Sequence, residues 1–208
     1  FIVEYFLLVF LMFLRFGGLF VIFPLFIMAR IPIKLRVALA LMIGVVMAGN
    51  ITVTPDWRAM GMGDMARIVF FELTTGILLG LVCRMVFYAL EIAGLRISTD
   101  SGLFITMNFS GMEGIPQQAP SIVLFLLGSI LMVAMDIHYF IIESVQLGYQ
   151  FLPIGGGVFH GGLINHIGEL IGKVFLMGIL ISAPVMATGF LVNFIMALMG
   201  RAVSRINV

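Results

Sequence analysis

Hydrophobic residues run along this chain in long blocks, separated by short stretches rich in glycine, proline and polar residues. Five blocks have helix length: Phe1 to Ala29, Val37 to Val53, Ile68 to Leu90, Ile122 to Leu147 and Val174 to Gly200. Each approaches the roughly 20 apolar residues that a membrane-spanning helix requires. The intervening stretches IPIKLR (31 to 36), TPDWRAMGMGD (54 to 64), FSGMEGIPQQAP (109 to 120) and LPIGGGVFHGG (152 to 162) carry the Pro and Gly that punctuate helices, and they predict turns. Ala93 to Asn108 and Leu163 to Lys173 read as weaker helices, with Arg96/Asp100 and Glu169/Lys173 at the i,i+4 spacing that lets side chains meet. The pattern predicts an all-α, multi-helix membrane protein, organised as a single domain over residues 1–208.

Composition strengthens that reading: 62% of residues are hydrophobic and 10% charged, against about 45–50% and about 25% in ordinary soluble domains. A net charge of +1 gives no reason to expect a nucleic-acid partner. Cys83 stands alone, so no intrachain disulfide is expected. The stretch from Phe1 lacks a basic region followed by a small-residue cleavage site, so no signal peptide is expected. Arg30, Lys34 and Arg36 mark their turn as cytoplasmic under the positive-inside rule.

Charge inside the apolar blocks changes the picture. Glu4 and Arg15 lie in the first, Glu72 and Arg84 in the third, Asp136 and Glu143 in the fourth. An ionisable group at mid-bilayer costs at least a few kcal/mol, so such groups face protein or water and find partners. Glu72, Arg84, Arg96, Asp100, Asp136, His138 and Glu143 are therefore candidate structural or inter-subunit polar residues. Asp136, His138 and Glu143 are also the residue types of a proton relay. In one continuous helix Asp136 and Glu143 share a face at i,i+7 while His138 points elsewhere, which favours polar groups satisfied between subunits. GILLG (76 to 80) and GELIG (168 to 172) each hold the GxxxG spacing that lets backbones approach, within the chain or between chains.

Motifs of chemistry are absent. There is no HExxH or GxSxG, and GGGVFHGG lacks the Lys-Ser/Thr of a phosphate-binding loop. Three histidines and one cysteine are too scattered for a metal site. No nucleophile, base and oxyanion donor assemble, so neither enzyme activity nor a cofactor is expected. The 109 to 120 stretch is the remaining candidate. Pro116 and Pro120 bar Ile115 and Ala119 from helical geometry, and Gly111 and Gly114 tolerate positive φ. Irregular backbone of this kind cannot face lipid; it is a surface turn, or it lines something wet. Among the 16 methionines, Met107 and Met112 flank or occupy this loop, where flexible thioethers seal a gap as readily as they fill a core.

IPIKLRVALAL (31 to 41), EIAGLRISTDSGL (91 to 103), the loop, IHYFIIESVQLGYQFLPIG (137 to 155) and FLVNFIMALMGRAVSRINV (190 to 208) together resemble the FliR family of flagellar export-apparatus proteins, nearly end to end. Its counterpart in injectisomes is the T-type export-apparatus component, and the closing stretch is nearer the flagellar branch. Asp100 stands where the family usually has Gln, Asp136-Ile137 where it has Asn-Gly, and Ser204 where Pro is common. The resemblance implies a fold like a FliP–FliQ fusion and assembly with FliP and FliQ homologues, with FlhB and FlhA homologues associated. The assembly forms a closed export gate for unfolded flagellar proteins in the bacterial inner membrane, at the flagellar basal body, projecting toward the periplasm in contact with membrane lipid. It implies a pore plug formed by Phe109, Ser110, Gly111, Met112, Glu113, Gly114, Ile115, Pro116, Gln117 and Gln118. It also implies a further apolar hairpin beyond Val208. The alternative from the residues alone is a secondary transporter or ion-channel subunit using intramembrane carboxylates, and a pure assembly scaffold is a further one.

Overall fold

Long apolar runs fold as helices, α7 even across an interior proline, Pro184, and a computed structural model describes the chain over residues 2–28, 31–49, 61–102, 106–107, 117–156 and 163–202. In chain order the elements are α1 (Ile2–Ile22), α2 (Pro24–Met28), α3 (Ile33–Ala48), α4 (Met62–Ser101), β1 (Thr106–Met107), β2 (Gln117–Gln118), α5 (Ala119–Ala134), α6 (Ile137–Phe151) and α7 (Leu163–Ala202). The predicted all-α class holds, with one two-residue ribbon added. Plug residues 109–116, the glycine-rich 157–162 and the closing 203–208 lie outside the described residues.

Element boundaries depart from the hydrophobicity pattern in several places. Pro24, which has no N–H to offer, breaks the first block and opens α2. Residues 33 to 36 of the expected IPIKLR turn are the first turn of α3. The fourth block breaks at Asp136, the single non-glycine residue with positive φ among those described (φ 56°), and α5 and α6 meet there at a 69° bend. Asp tolerates the left-handed region because its short polar side chain bonds locally. Conversely, α4 and α7 each run 40 residues without interruption, joining a strongly and a weakly apolar stretch, since falling hydrophobicity alone does not end a helix.

Helices over Val3–Ile22, Met62–Ser101 and Asn165–Arg201 are long and apolar enough to cross a membrane, and the bent α5–α6 pair makes a fourth candidate. At about 1.5 Å per residue α4 is roughly 60 Å long, twice the bilayer's hydrocarbon thickness of about 30 Å. It is longer than an upright crossing requires.

The chain packs as two compact units, Phe1–Met85 with Ser129–Glu169 and Val86–Gly128 with Leu170–Val208. In the first, α3 presents Ala40, Gly44 and Ala48, at i,i+4 spacing, as its buried stripe. Gly44 lies so close to α1 that an added Cβ would sit 3.2 Å from the Phe13 amide nitrogen. The GILLG motif works in the same way: a Cβ on Gly76 would collide with the Arg15 carbonyl, and one on Gly80 would reach the Leu19 carbonyl oxygen at 2.8 Å. Gly18 returns the contact: a Cβ added there would lie 2.9 Å from the Leu73 carbonyl oxygen. In the second unit, Gly94 is pressed against the Ser121 backbone, and Phe87 and Phe125 meet at 4.7 Å between centroids. Gly178 is packed against Ile92, where an added Cβ would come within 2.8 Å of the Ile92 side chain. Gly168 and Gly172, by contrast, have nothing within 4 Å among the described residues.

The two GxxxG motifs are thus separable by mutation. Gly76→Leu should destabilise the chain by about 1–3 kcal/mol or prevent folding, because α1 backbone occupies the space, whereas Gly172→Leu should leave protease resistance in detergent unchanged. Equal tolerance of both would contradict this packing.

Candidate functional site

Residue Gly102, at φ 68°, ends α4 in the left-handed conformation that closes many helices, so the expected helix to Asn108 stops at Ser101. Beyond it Thr106 pairs with Gln118 and Met107 with Gln117 in an antiparallel ribbon. This brings together the chain on either side of residues 108–116. Ala119 and Pro120, the last two residues of the expected loop, open α5, so Pro120 does not bar Ala119 from the helix; in the first turn its missing N–H leaves no helix bond unmade. Ser121 then donates to the Glu91 carbonyl at 3.3 Å and lies against Gly94, anchoring the loop's exit on α4. Of the expected plug residues, Gln117 and Gln118 are the described ones, and the Gln118 Oε1 is buried with no hydrogen-bond partner among the described residues. Arg96 and Asp100 meet on α4 just before this stretch at 3.5 Å, both partly exposed. Such a pair contributes about 0.3–0.5 kcal/mol, so it orients more than it stabilises.

The principal polar centre of the first unit is built on Arg15, a residue that sequence reasoning saw but did not join to the candidate set. Its Nε donates to Glu72 Oε2 at 2.7 Å and its Nη2 to Glu72 Oε1 at 3.0 Å, a two-pronged contact between α1 and α4. Both side chains are almost wholly buried, 2% and 1% exposed. The Tyr149 ring of α6 stacks on the guanidinium at 3.7 Å. The turn after α6 closes the cluster: Arg15 Nη2 reaches the Leu152 carbonyl at 3.5 Å, and the Gly155 amide donates to Glu72 Oε1 at 3.2 Å. Gly155 sits at φ 77°, and a Cβ there would lie 2.8 Å from Ile68, so the position admits glycine alone. Glu72, expected to look for a partner outside its own helix, finds it in the same chain.

The other polar candidates are dispersed. Arg84 is half-buried on α4, while Asp136 and Glu143 are exposed. Asp136 stands outside α6 in the left-handed region, so the i,i+7 relation with Glu143 inferred from one continuous helix does not hold. His138 lies beside Tyr139, with ring centroids 4.4 Å apart and a buried Nδ1 that has no hydrogen-bond partner. Among the described residues no three of His, Cys, Asp or Glu gather as metal ligands do.

Comparison with known proteins decides the family. The sequence matches the bacterial export proteins, family 1, over residues 6–208. The chain belongs to that family. It is 23% identical to the flagellar biosynthetic protein FliR of Bacillus subtilis over 201 residues, covering 95% of this chain and 77% of the relative. It is 26% identical to FliR of Caulobacter vibrioides over 192 residues, 92% of this chain and 76% of that one. It is also 26% identical to FliR of Aquifex aeolicus over 191 residues, 89% and 71%. This member of the bacterial export proteins is therefore a membrane protein of the flagellar export apparatus, and the FliR character read from its motifs stands. Those motifs also acquire physical content. In EIAGLRISTDSGL, Ala93 and Ser98 are wholly buried, Gly94 is the α5 contact, and Gly102 closes α4. LPIG carries the carbonyl and amide that close the Arg15–Glu72 cluster. Asp136 holds the left-handed position that Asn also favours.

Removing one partner of a buried ion pair strands the other. Glu72→Ala should therefore cost about 3–5 kcal/mol and abolish a folded, protease-resistant chain. Tyr149→Phe, which keeps the ring over the guanidinium, should lower the melting temperature far less. Similar melting temperatures for the two variants would contradict the cluster's role.

Proposed function

We propose that this chain is a subunit of a flagellar export gate, assembling with FliP and FliQ homologues into a closed pore through which unfolded proteins leave the cell. FlhB and FlhA homologues associate with it in the inner membrane, and the assembly projects toward the periplasm. The chain contributes architecture and a gate rather than catalysis.

The observation that supports this reading is the ribbon that pairs Thr106 with Gln118 and Met107 with Gln117, bringing together the two ends of the glycine- and proline-rich stretch between α4 and α5. Backbone without helix hydrogen bonds is tolerable at membrane depth where it borders water. A loop with few such bonds yields to a passing chain more easily than a helix unwinds. Its glutamines are neutral donors and acceptors that select no cargo charge. The 69° break between α5 and α6 and the overlong α4 and α7 fit helices shaped to a conical assembly better than simple bilayer spans.

Deleting Gly111 to Pro116 keeps the ribbon strands intact. In cells carrying all partner subunits this deletion should raise leakage of ions and small solutes while secretion continues at least in part. Normal assembly with unchanged leakage would reject the plug and leave a surface turn in its place.

A further inference from the structure

Between α1, α3 and α4 of the first unit lies a cavity of about 190 Å³, bordered by Phe13, Gly17, Gly18, Ile33, Arg36 and Leu73. It exists because Gly17 carries no side chain: a Cβ added there meets nothing within 4 Å, whereas its neighbour Gly18 is packed against the Leu73 carbonyl. The walls are apolar apart from Arg36. Ile33, Val21 and Val37 at its rim are 58%, 53% and 46% exposed, so the groove opens outward, on a helix apolar enough to span a membrane. Arg36 is held at the rim by its own turn, Nε donating to the Ile31 carbonyl at 3.0 Å and Nη2 to the Phe26 carbonyl at 2.7 Å. Among the described residues these contacts use two of the guanidinium's five N–H groups. Lys34, exposed on the same first turn of α3, adds a second positive charge.

We propose that this groove seats an acyl chain of an anionic phospholipid, with Arg36 binding its phosphate. A polar solute is disfavoured, because the apolar walls offer no hydrogen bonds in exchange for lost water. An acyl chain needs none, and the volume holds about six methylene-sized groups at roughly 30 Å³ each, the share of a water in the liquid. An apolar side chain from a partner would fill the groove yet offer the guanidinium no counter-charge. A phosphate answers it in the planar, forked geometry that arginine favours, and basic residues beside a span attract anionic headgroups generally.

The test uses the full export assembly in nanodiscs of phosphatidylcholine with or without phosphatidylglycerol, with retained lipid read by native mass spectrometry. Wild type should retain phosphatidylglycerol on the order of tenfold over phosphatidylcholine, as expected for a charge-assisted headgroup contact. Gly17→Leu fills the groove without a clash and should retain neither lipid there. Arg36→Gln should lose the preference, and Arg36→Lys, which keeps the charge, should restore part of it, separating headgroup binding from any effect on the turn. Equal retention of both lipids by wild type, or undiminished retention by Gly17→Leu, would overturn the proposal. So would a photo-crosslinker at position 17 that captures a protein segment instead of lipid.

Discussion

A guanidinium and a carboxylate withdrawn from water between two apolar helices impose the condition that the first unit must satisfy. Arg15 and Glu72 are each about as buried as a core leucine. Desolvation costs several kcal/mol per ion, and attraction offsets it only when geometry is close and the remaining donors and acceptors are also met. Here the two-pronged contact, the tyrosine face and two backbone groups of the 152–155 turn meet them together. The glycines follow from the same demand. Two prongs at 2.7 and 3.0 Å require α1 and α4 to approach closely, and Gly18, Gly76 and Gly80 remove the side chains that would hold them apart. The ion pair thus sets helix register, and the register ties the end of α6 to helices far away in sequence.

In the second unit close backbone contact does similar work without charge. Gly94 lets the start of α5 rest on α4, Gly102 turns the chain out of α4, and the ribbon draws Thr106 and Met107 to Gln118 and Gln117. The ribbon and the two helices beside it thus hold both ends of the stretch 108–116, the placement that the proposed gate requires.

The helical content and membrane character were legible because they depend on composition and run length, which are local properties. The FliR likeness was legible because AG..IS, LPIG and the closing stretch occur in the right order. Glu72 was legible as an unusual charge, but its partner was not: Arg15 lies 57 residues away, and nothing in either helix's period points to the other. Gly76 and Gly80 announced close packing without naming the surface they pack on. Asp136 was misread because an apolar block that continues on both sides hides a break set by one backbone conformation. Weak hydrophobicity near residues 91 to 108 was taken as an element boundary, although it records what surrounds the end of α4 rather than whether α4 continues.

The most direct measurement is the hydrogen-exchange rate of the Gly155 amide in the double variant Arg15→Met, Glu72→Met. Replacing both charges with apolar side chains leaves no stranded ion, so α1 and α4 should still pack. The turn, however, loses the carboxylate that accepts from Gly155. A hydrogen bond to a charged group contributes about 1.5–3 kcal/mol, so exchange at Gly155 should accelerate roughly tenfold to a hundredfold relative to wild type while the helix amides stay protected. An unchanged Gly155 rate in a folded double variant would show that the buried pair does not hold the turn.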